Sequence, residues 1–343
     1  MKNTFRPIYW KEGQLILPQH FQQEYFFLRE MFSRISKSMH PYIWGHRSLC
    51  IKNIDLNSEL FEISGGEFWF ENDEMPRRLF TDHDQPGDTI VEIKNIANEL
   101  QQKPEGNYYI CVRLSNNLNV QHLENLDSKL IQEKQILLET RFVSTSNEED
   151  IKNIHDNDKG QLFRLYHALQ IVIEESKNVK NKLPIAKISK TKHNIFFHEK
   201  YIPPTINLDL EIKQINPLEN IILEIQKKLK SYSDYLSPYG INVMNDGEKD
   251  DNYRMILVSL NRNIGILHHY LAEKKHIHPW NVFILLKSLI TELSTFSRID
   301  NYKIDKILDY IKYDHLDLYL TFNTIKETLT LLLKEISARP EFI

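Results

Sequence analysis

The chain has 343 residues, 11% of them aromatic and only 10 of them glycine, and its 43 Lys and Arg against 47 Asp and Glu give a formal net charge of −4. That length accommodates two domains with a sizeable core, and a near-balanced charge with no basic block speaks against nucleic acid as a partner. Cys50 and Cys111 are the only cysteines and lie far apart, so neither a disulfide framework nor a paired zinc site is indicated, and both read as reduced core residues.

The start, MKNTFRPIYW, lacks an apolar signal core. The most apolar helical windows, near Val282 to Ile290 and Leu329 to Ile336, are broken by Lys287 and Lys334 well short of a bilayer span, so a cytoplasmic location, not inserted in membrane, is expected.

The opening stretch from Trp10 to Glu30 reads WKEGQLILPQHFQQEYFFLRE. Gly13 permits a positive φ, and Pro18 removes a donor and disfavours helix just before it, so Trp10, Leu15, Leu17 and Phe21 cannot share one regular element. After Pro18 the polar residues His20, Gln22, Gln23 and Glu24 interleave with Phe21, Tyr25, Phe27 and Leu28, which predicts a short amphipathic helix. Residue physics alone reads this as an apolar arm ordered by docking, either on its own β domain or on a neighbouring subunit.

From Ser48 to about Phe142 the apolar pattern has period two: Leu49 with Ile51, Ile54 with Leu56, Phe61 with Ile63, Phe68 with Phe70, then Ile110, Val112 and Leu114. Turn chemistry at Asn57-Ser58, Gly65-Gly66, Asn72-Asp73, Gln85-Pro86-Gly87 and Pro104-Glu105-Gly106 punctuates it at intervals typical of an antiparallel sandwich or barrel. The polar stretch from Asn147 to Lys159 reads as an exposed loop between strands. Leu169, Ile171 and Ile173 alternate again, and Leu183-Pro184-Ile185-Ala186-Lys187-Ile188, Phe196-Phe197 and Tyr201-Ile202-Pro203-Pro204 read as a hairpin closing the β domain.

After Pro204 the period changes to about 3.5. Leu218, Ile222, Ile225 and Leu229 form the first seam, with Asn216 as N-cap, Pro217 at the first helical position and Glu219 completing a capping box. Ser231 to Asp250 carries two turn signals and reads as a surface connection. Tyr253, Ile256, Leu257, Leu260, Ile264, Leu267 and Leu271 form the second seam, and Val282, Leu286, Leu289, Leu293 and Phe296 the third, started by His278-Pro279. Leu318, Phe322, Ile325, Leu329, Leu332 and Ile336 form the fourth, so four antiparallel helices in a bundle are expected. Met255, Val258, Phe283 and Leu285 widen the second and third seams into a second contact face. Leu257, Leu260, Ile264, Leu267, Leu286, Leu289 and Leu293 are therefore the candidate bundle and self-association residues.

Three histidine-acid groups invite an enzyme reading: Asp82-His83-Asp84; His268-His269 with His276 and His278; and Asp314-His315-Leu316-Asp317. Metal sites need ligands converging from one face, whereas His83 sits beside a turn, and Asp314 suits the N-cap of the fourth helix with Asp317 at N3. The histidines read as surface or cap residues. No G-x-S-x-G elbow, phosphate loop, H-E-x-x-H or nucleotide fingerprint occurs, so no enzyme, cofactor or metal is expected.

The segment from Trp10 to Gln23, the Pro41-Tyr42-Ile43-Trp44-Gly45 element, the LPIAKI and YIPP elements and the YDHLDL helix start together resemble the TssK family of type VI secretion baseplate subunits, from Trp10 through Leu333. Lys187 stands where the family pattern has arginine. The resemblance implies an α+β multidomain protein: residues 1–205 as a β-rich shoulder, similar to that of phage receptor-binding proteins, and 206–343 as a helical bundle stalk. It also implies a homotrimer, held mainly by the helical half, that grips TssF/TssG-like wedge subunits and reaches a TssJ/TssL/TssM-like membrane complex indirectly, at the cytoplasmic face of the inner membrane. Trp10, Gly13, Leu15, Leu17, Pro18, His20, Phe21, Tyr42 and Trp44 are then the candidate assembly residues. Family members continue into a C-terminal head, so with the sequence ending at Ile343 the head is expected to be absent and its docking role to lie elsewhere. Two rivals are a phage-tail receptor-binding protein, which would carry a host-binding head, and a metal-dependent hydrolase, which would need the histidines to converge.

Overall fold

The computed structural model describes residues 7–55, 60–70, 77–79, 89–92, 99–100, 102–114, 142–145, 151–152, 159–160, 164–177, 182–192, 194–212, 214–241, 249–297 and 301–337. The chain opens with the arm and a helix, α1 (Pro18–Met39). At 22 residues this helix is far longer than the short one its first turns suggest, because apolar residues keep recurring through Phe32, Ile35 and Met39 without a breaker until Pro41.

Two sheets follow. β1 (Gly45–Asp55) pairs antiparallel with β2 (Leu60–Trp69), and β2 with β3 (Arg77–Leu79). The second sheet is built on β5 (Gly106–Leu114), flanked by β9 (Arg164–Glu174) and β10 (Lys182–Lys190), with β4 (Thr89–Glu92) and β6 (Phe142–Thr145) on β9 and β11 (Ile195–Phe197) on β10. The expected hairpin is present, with Ile188 opposite Phe197. Its YIPP continuation is not a strand but a buried extended segment that bridges to β1 at Thr205.

The sheets are mixed rather than purely antiparallel. β12 (Glu211–Ile212) returns from the far end of the β half to lie parallel to β1, and β4 lies parallel to β9. Within the polar stretch read as a loop, β7 (Ile151–Lys152) pairs with β8 (Lys159–Gly160). The turns at 57–58, 72–73 and 85–87, together with Leu56 and Asp82-His83-Asp84, lie outside the described residues.

The second half is helical: α2 (Pro217–Ile241), α3 (Lys249–Ala272), α4 (Pro279–Ser294), α5 (Asn301–Tyr310) and α6 (Leu318–Ser337). α2 packs on α3, α3 on α4, α4 on α6 and α6 back on α2. Two expectations change here. α2 continues to Ile241, through much of the segment read as a surface connection, because Tyr232 and Leu236 extend its buried face. α5 is an additional helix, on which Ile307 and Leu308 supply apolar packing against the core.

The start of α2 follows the expected chemistry, with the Asn216 side chain accepting from the Glu219 N–H at 2.9 Å. Glu219 does not close a capping box; its carboxylate takes Lys274 at 2.8 Å, tying α2 to the end of α3. α6 is capped differently from the expectation. Asp317, not Asp314, accepts from the Leu320 N–H at 3.1 Å, while Asp314 accepts from the Leu316 N–H one turn earlier and pairs with Lys177. One apolar core runs without a break from Leu49 and Phe68 through Leu218 to Ile336, so the sheets and helices share an interior.

Candidate assembly surface and the junction behind it

The short sequence elements that looked most distinctive meet at one place. Tyr42 and Trp44, from the turn ahead of β1, stack against residues that start α4 and α6: Tyr42 lies 5.3 Å from Trp280, 4.8 Å from Tyr313 and 5.0 Å from His315, and Trp44 meets His315 edge-on at 4.5 Å. Phe283 closes the cluster against Trp280 and Tyr313. Such ring pairs contribute about 1 kcal/mol each beyond the area they bury.

Polar bonds lock the same place. His278 donates from Nε2 to the Tyr42 carbonyl at 2.8 Å and accepts the Trp280 N–H on Nδ1 at 3.0 Å, so it caps α4 and ties it to the β half at once. His315 donates from Nε2 to the Trp44 carbonyl at 2.7 Å, with the Tyr313 hydroxyl 2.9 Å from Nδ1. His46 donates from Nε2 to the Pro184 carbonyl at 2.9 Å, its own N–H bonds the Pro204 carbonyl, and the Ile202 carbonyl accepts the otherwise unpaired first N–H of α6.

Gly45 belongs to this lock by necessity. Its φ is +130°, and a Cβ there would stand 2.9 Å from the backbone of Pro204. The PYIWG, LPIAKI, YIPP and YDHLDL elements are therefore pieces of one interlocked junction.

The three buried rings are neutral. Burial pushes His278 down to about 3 and His315 and His46 down to about 4. The neighbouring histidines oppose charge on His278 and His315 further, and the backbone carbonyls only partly offset this. The bonds give a second reason: each acceptor carbonyl requires Nε2–H, and Nδ1 of His278 must keep its lone pair for the Trp280 N–H.

The histidine expectations divide accordingly. His278 is a cap but a buried one, and His315 is interior rather than on the surface, whereas His268, His269 and His276 are exposed and the rings do not converge. Although the His40 and His278 centroids approach to 3.9 Å, no group of three His, Cys, Asp or Glu side chains among the described residues has metal-holding geometry. None of the described helices is long and apolar enough to cross a membrane.

The arm behaves oppositely. Gly13 turns at φ +76°, and Trp10 then packs on His20 at 5.8 Å and Phe21 at 6.0 Å, folding the arm back onto α1. His20 reaches back to cap the helix, its Nδ1 accepting the Leu17 N–H at 3.1 Å, and Glu24 accepts the Ile8 N–H at 3.2 Å. Pro18 sits in the first helical turn, where its missing donor costs nothing. Yet Trp10, Leu15, Leu17 and Phe21 all remain exposed, so the arm is ordered on its own helix rather than by burial on the sheets.

The candidate self-association residues are sorted the other way. Leu260, Leu267, Leu286, Leu289 and Leu293 are wholly buried within this one chain, and Leu257 and Ile264 pack against the same core. The five buried leucines hold the helices together within the chain, while Leu257 and Ile264 are only partly covered. Of the four residues expected to form an extra face, Phe283 is buried in the junction and Leu285 packs on the core, leaving Met255 and Val258 in the open.

Comparison with known proteins agrees with this architecture. The crystal structure of TssK is similar with a TM-score of 0.69 at 21% identity, over 96% of this chain and 69% of that one. A chain of the type VI secretion system TssK-TssF-TssG baseplate subcomplex gives 0.69 at 17% identity, over 96% of this chain and 99% of that one. A chain of the baseplate complex from the type VI secretion system gives 0.67 at 17%, over 97% and 70%. No curated protein matches the sequence. The family model T6SS_VasE, described as bacterial type VI secretion, VC_A0110, EvfL, ImpJ, VasE, matches residues 20–343, and the chain belongs to that family.

Proposed function

We propose that this protein is a structural adaptor subunit of a type VI secretion baseplate, working as a homotrimer. Residues 1–205 form a shoulder whose two sheets face each other as a sandwich, and 206–343 form a helical stalk. The segment 201–212 crosses between them. The shoulder grips wedge subunits resembling the TssF and TssG that accompany TssK in the similar subcomplex, and the stalk carries the link towards the membrane-anchored part of the machine, at the cytoplasmic face of the inner membrane.

One contrast supports this reading within the family. The junction commits Nε2 of His278 and of His315 to backbone carbonyls of the β half, while the arm and α1 hold their largest apolar side chains in the open. A protein built this way transmits position between partners. Co-expression with the wedge genes of its host, followed by affinity purification through this chain, should recover TssF-like and TssG-like proteins in fixed ratio; purification of the chain alone would remove the adaptor reading.

A further inference from the structure

At the end of the helical half remote from the junction, a groove opens between α5 and α6 beside the last turns of α4. Its cavity is about 340 Å³, within the size range of pockets that take a ligand. Ile290 and Leu332 form a buried floor, whereas Leu331 and Tyr310, both on the lining, are 64% and 75% exposed. Leu331 stands outside the buried seam of α6, so its own bundle does not account for it. Glu327, Leu331 and Glu335 follow one another at one-turn intervals along the α6 wall, which sets an apolar group between two carboxylates. Such a wall fits large apolar side chains accompanied by a cation.

We propose that this groove is a docking site for the chain's own segment after α6, residues 338–343, which lies outside the described residues. Ala338-Arg339-Pro340-Glu341-Phe342-Ile343 supplies the matching chemistry, a cation followed by two adjacent large apolar side chains. α6 runs to Ser337, and Pro340 disfavours helix at the residue before it, so the chain leaves the helix direction there. Reach is sufficient: six extended residues span at most ~20 Å, and Leu331 stands about 9 Å back from Ser337 along the helix axis. A reversal over residues 338–340 leaves Glu341 to Ile343 antiparallel to the last turns of α6, with Phe342 and Ile343 level with Glu335 and Leu331. Arg339 then stays at the helix end beside Glu335, where the closing carbonyls of α6 also favour a cation. Glu341 falls towards Lys306 on the α5 wall. A free ligand would compete with a tethered segment whose effective concentration is of the order of millimolar. Another protein reaching this end of the bundle must therefore displace the tail first.

Disulfide trapping in the full chain tests this, in a Cys50→Ser background that leaves only the buried Cys111. In dilute protein with oxidised glutathione, Leu331→Cys with Ile343→Cys should form its intramolecular link at least tenfold faster than Thr330→Cys with Ile343→Cys. Residue 330 is only one position farther from the tail along the chain, but it lies around the helix, where Lys228 of α2 meets Thr330. Arg339→Glu should slow the Leu331 link, and Glu335→Arg added to it should restore the rate. Equal rates for the two pairs, or a Leu331 link indifferent to both charge changes, overturn the proposal. Should a cysteine pair fail to fold, hydrogen exchange of Phe342→Asp with Ile343→Asp against the unaltered chain supplies the answer. The amides from Leu331 to Ile336 should exchange several-fold faster in the double variant. Unchanged exchange, whether the groove stands open in both proteins or a small apolar ligand or another protein fills it in both, overturns the proposal.

Discussion

The imidazole of His315 and the main-chain carbonyl of Trp44 lie 271 residues apart in sequence and 2.7 Å apart in space. That bond fastens the approach to α6 onto the approach to β1, inside a ring of aromatic side chains where water cannot replace it. His315→Phe keeps the ring but strands the carbonyl, and it should cost about 1–3 kcal/mol, the usual penalty for an unsatisfied buried polar group. His315→Ala should cost more, about 3–5 kcal/mol, by adding a cavity. Urea unfolding of the two variants measures both; a phenylalanine variant as stable as the original would remove the hydrogen bond from the account.

Acid should loosen the same junction. His46, His278 and His315 have folded values near 4, 3 and 4, all below the ordinary 6.5. Below pH 6.5 the unfolded chain takes up protons that the folded chain refuses, so stability falls as pH drops and stops falling only near the folded values. At pH 5 each ring should have cost on the order of 2 kcal/mol. The urea midpoint is expected to drop sharply between pH 7.5 and 5 and to drop less for His278→Gln; a flat profile over that range would show the rings protonated in place.

Periodicity carried most of the secondary structure. Period two exposed β1, β5 and β9, period 3.5 exposed four of the helices, and Asn216 was legible as a cap because capping is a local matter. What stayed hidden was non-local or masked by punctuation. The Pro and Gly of Ser237-Pro238-Tyr239-Gly240 read as a turn although α2 runs through them. The Ile304, Ile307, Leu308 spacing of α5 was available but short. That His315 is interior depends on Tyr42 and Trp44 arriving from the other half, and that α1 turns its serines inward cannot be read from its own pattern, since amphipathicity names the faces without saying which one the fold covers.

Two glycines should respond differently to the same change. At Gly13 nothing stands within 4 Å of a new Cβ, so Gly13→Ala carries only the conformational cost of a positive φ, about 1–2 kcal/mol confined to the arm. At Gly45 that strain is joined by contact with the Pro204 carbonyl group at 2.9 Å, and the displaced backbone belongs to the segment that bonds His46. Gly45→Ala should lower the melting temperature of the whole molecule, whereas Gly13→Ala leaves it nearly unchanged. Hydrogen exchange at the His46 and Ile206 amides would locate the damage; equal behaviour of the two variants would deny Gly45 its place in the lock.

The apolar residues of the helical half should separate into two classes when truncated. Leu289 lies in the middle of α4 with no exposed surface and joins the core shared by the helices, so Leu289→Ala removes buried methyl groups and leaves a cavity, at a cost of about 2–5 kcal/mol. Met255 is half-exposed on α3, and Met255→Ala should change stability by no more than about 0.5 kcal/mol. Concentration decides between the possible meanings of the loss. If Leu289 serves only the interior of one chain, its penalty is the same at 1 and at 100 times a given protein concentration, because the substitution leaves the association step unaltered. A penalty that grows as concentration rises would show that the leucine also contacts a neighbouring copy and that the helical half takes part in the contact between subunits.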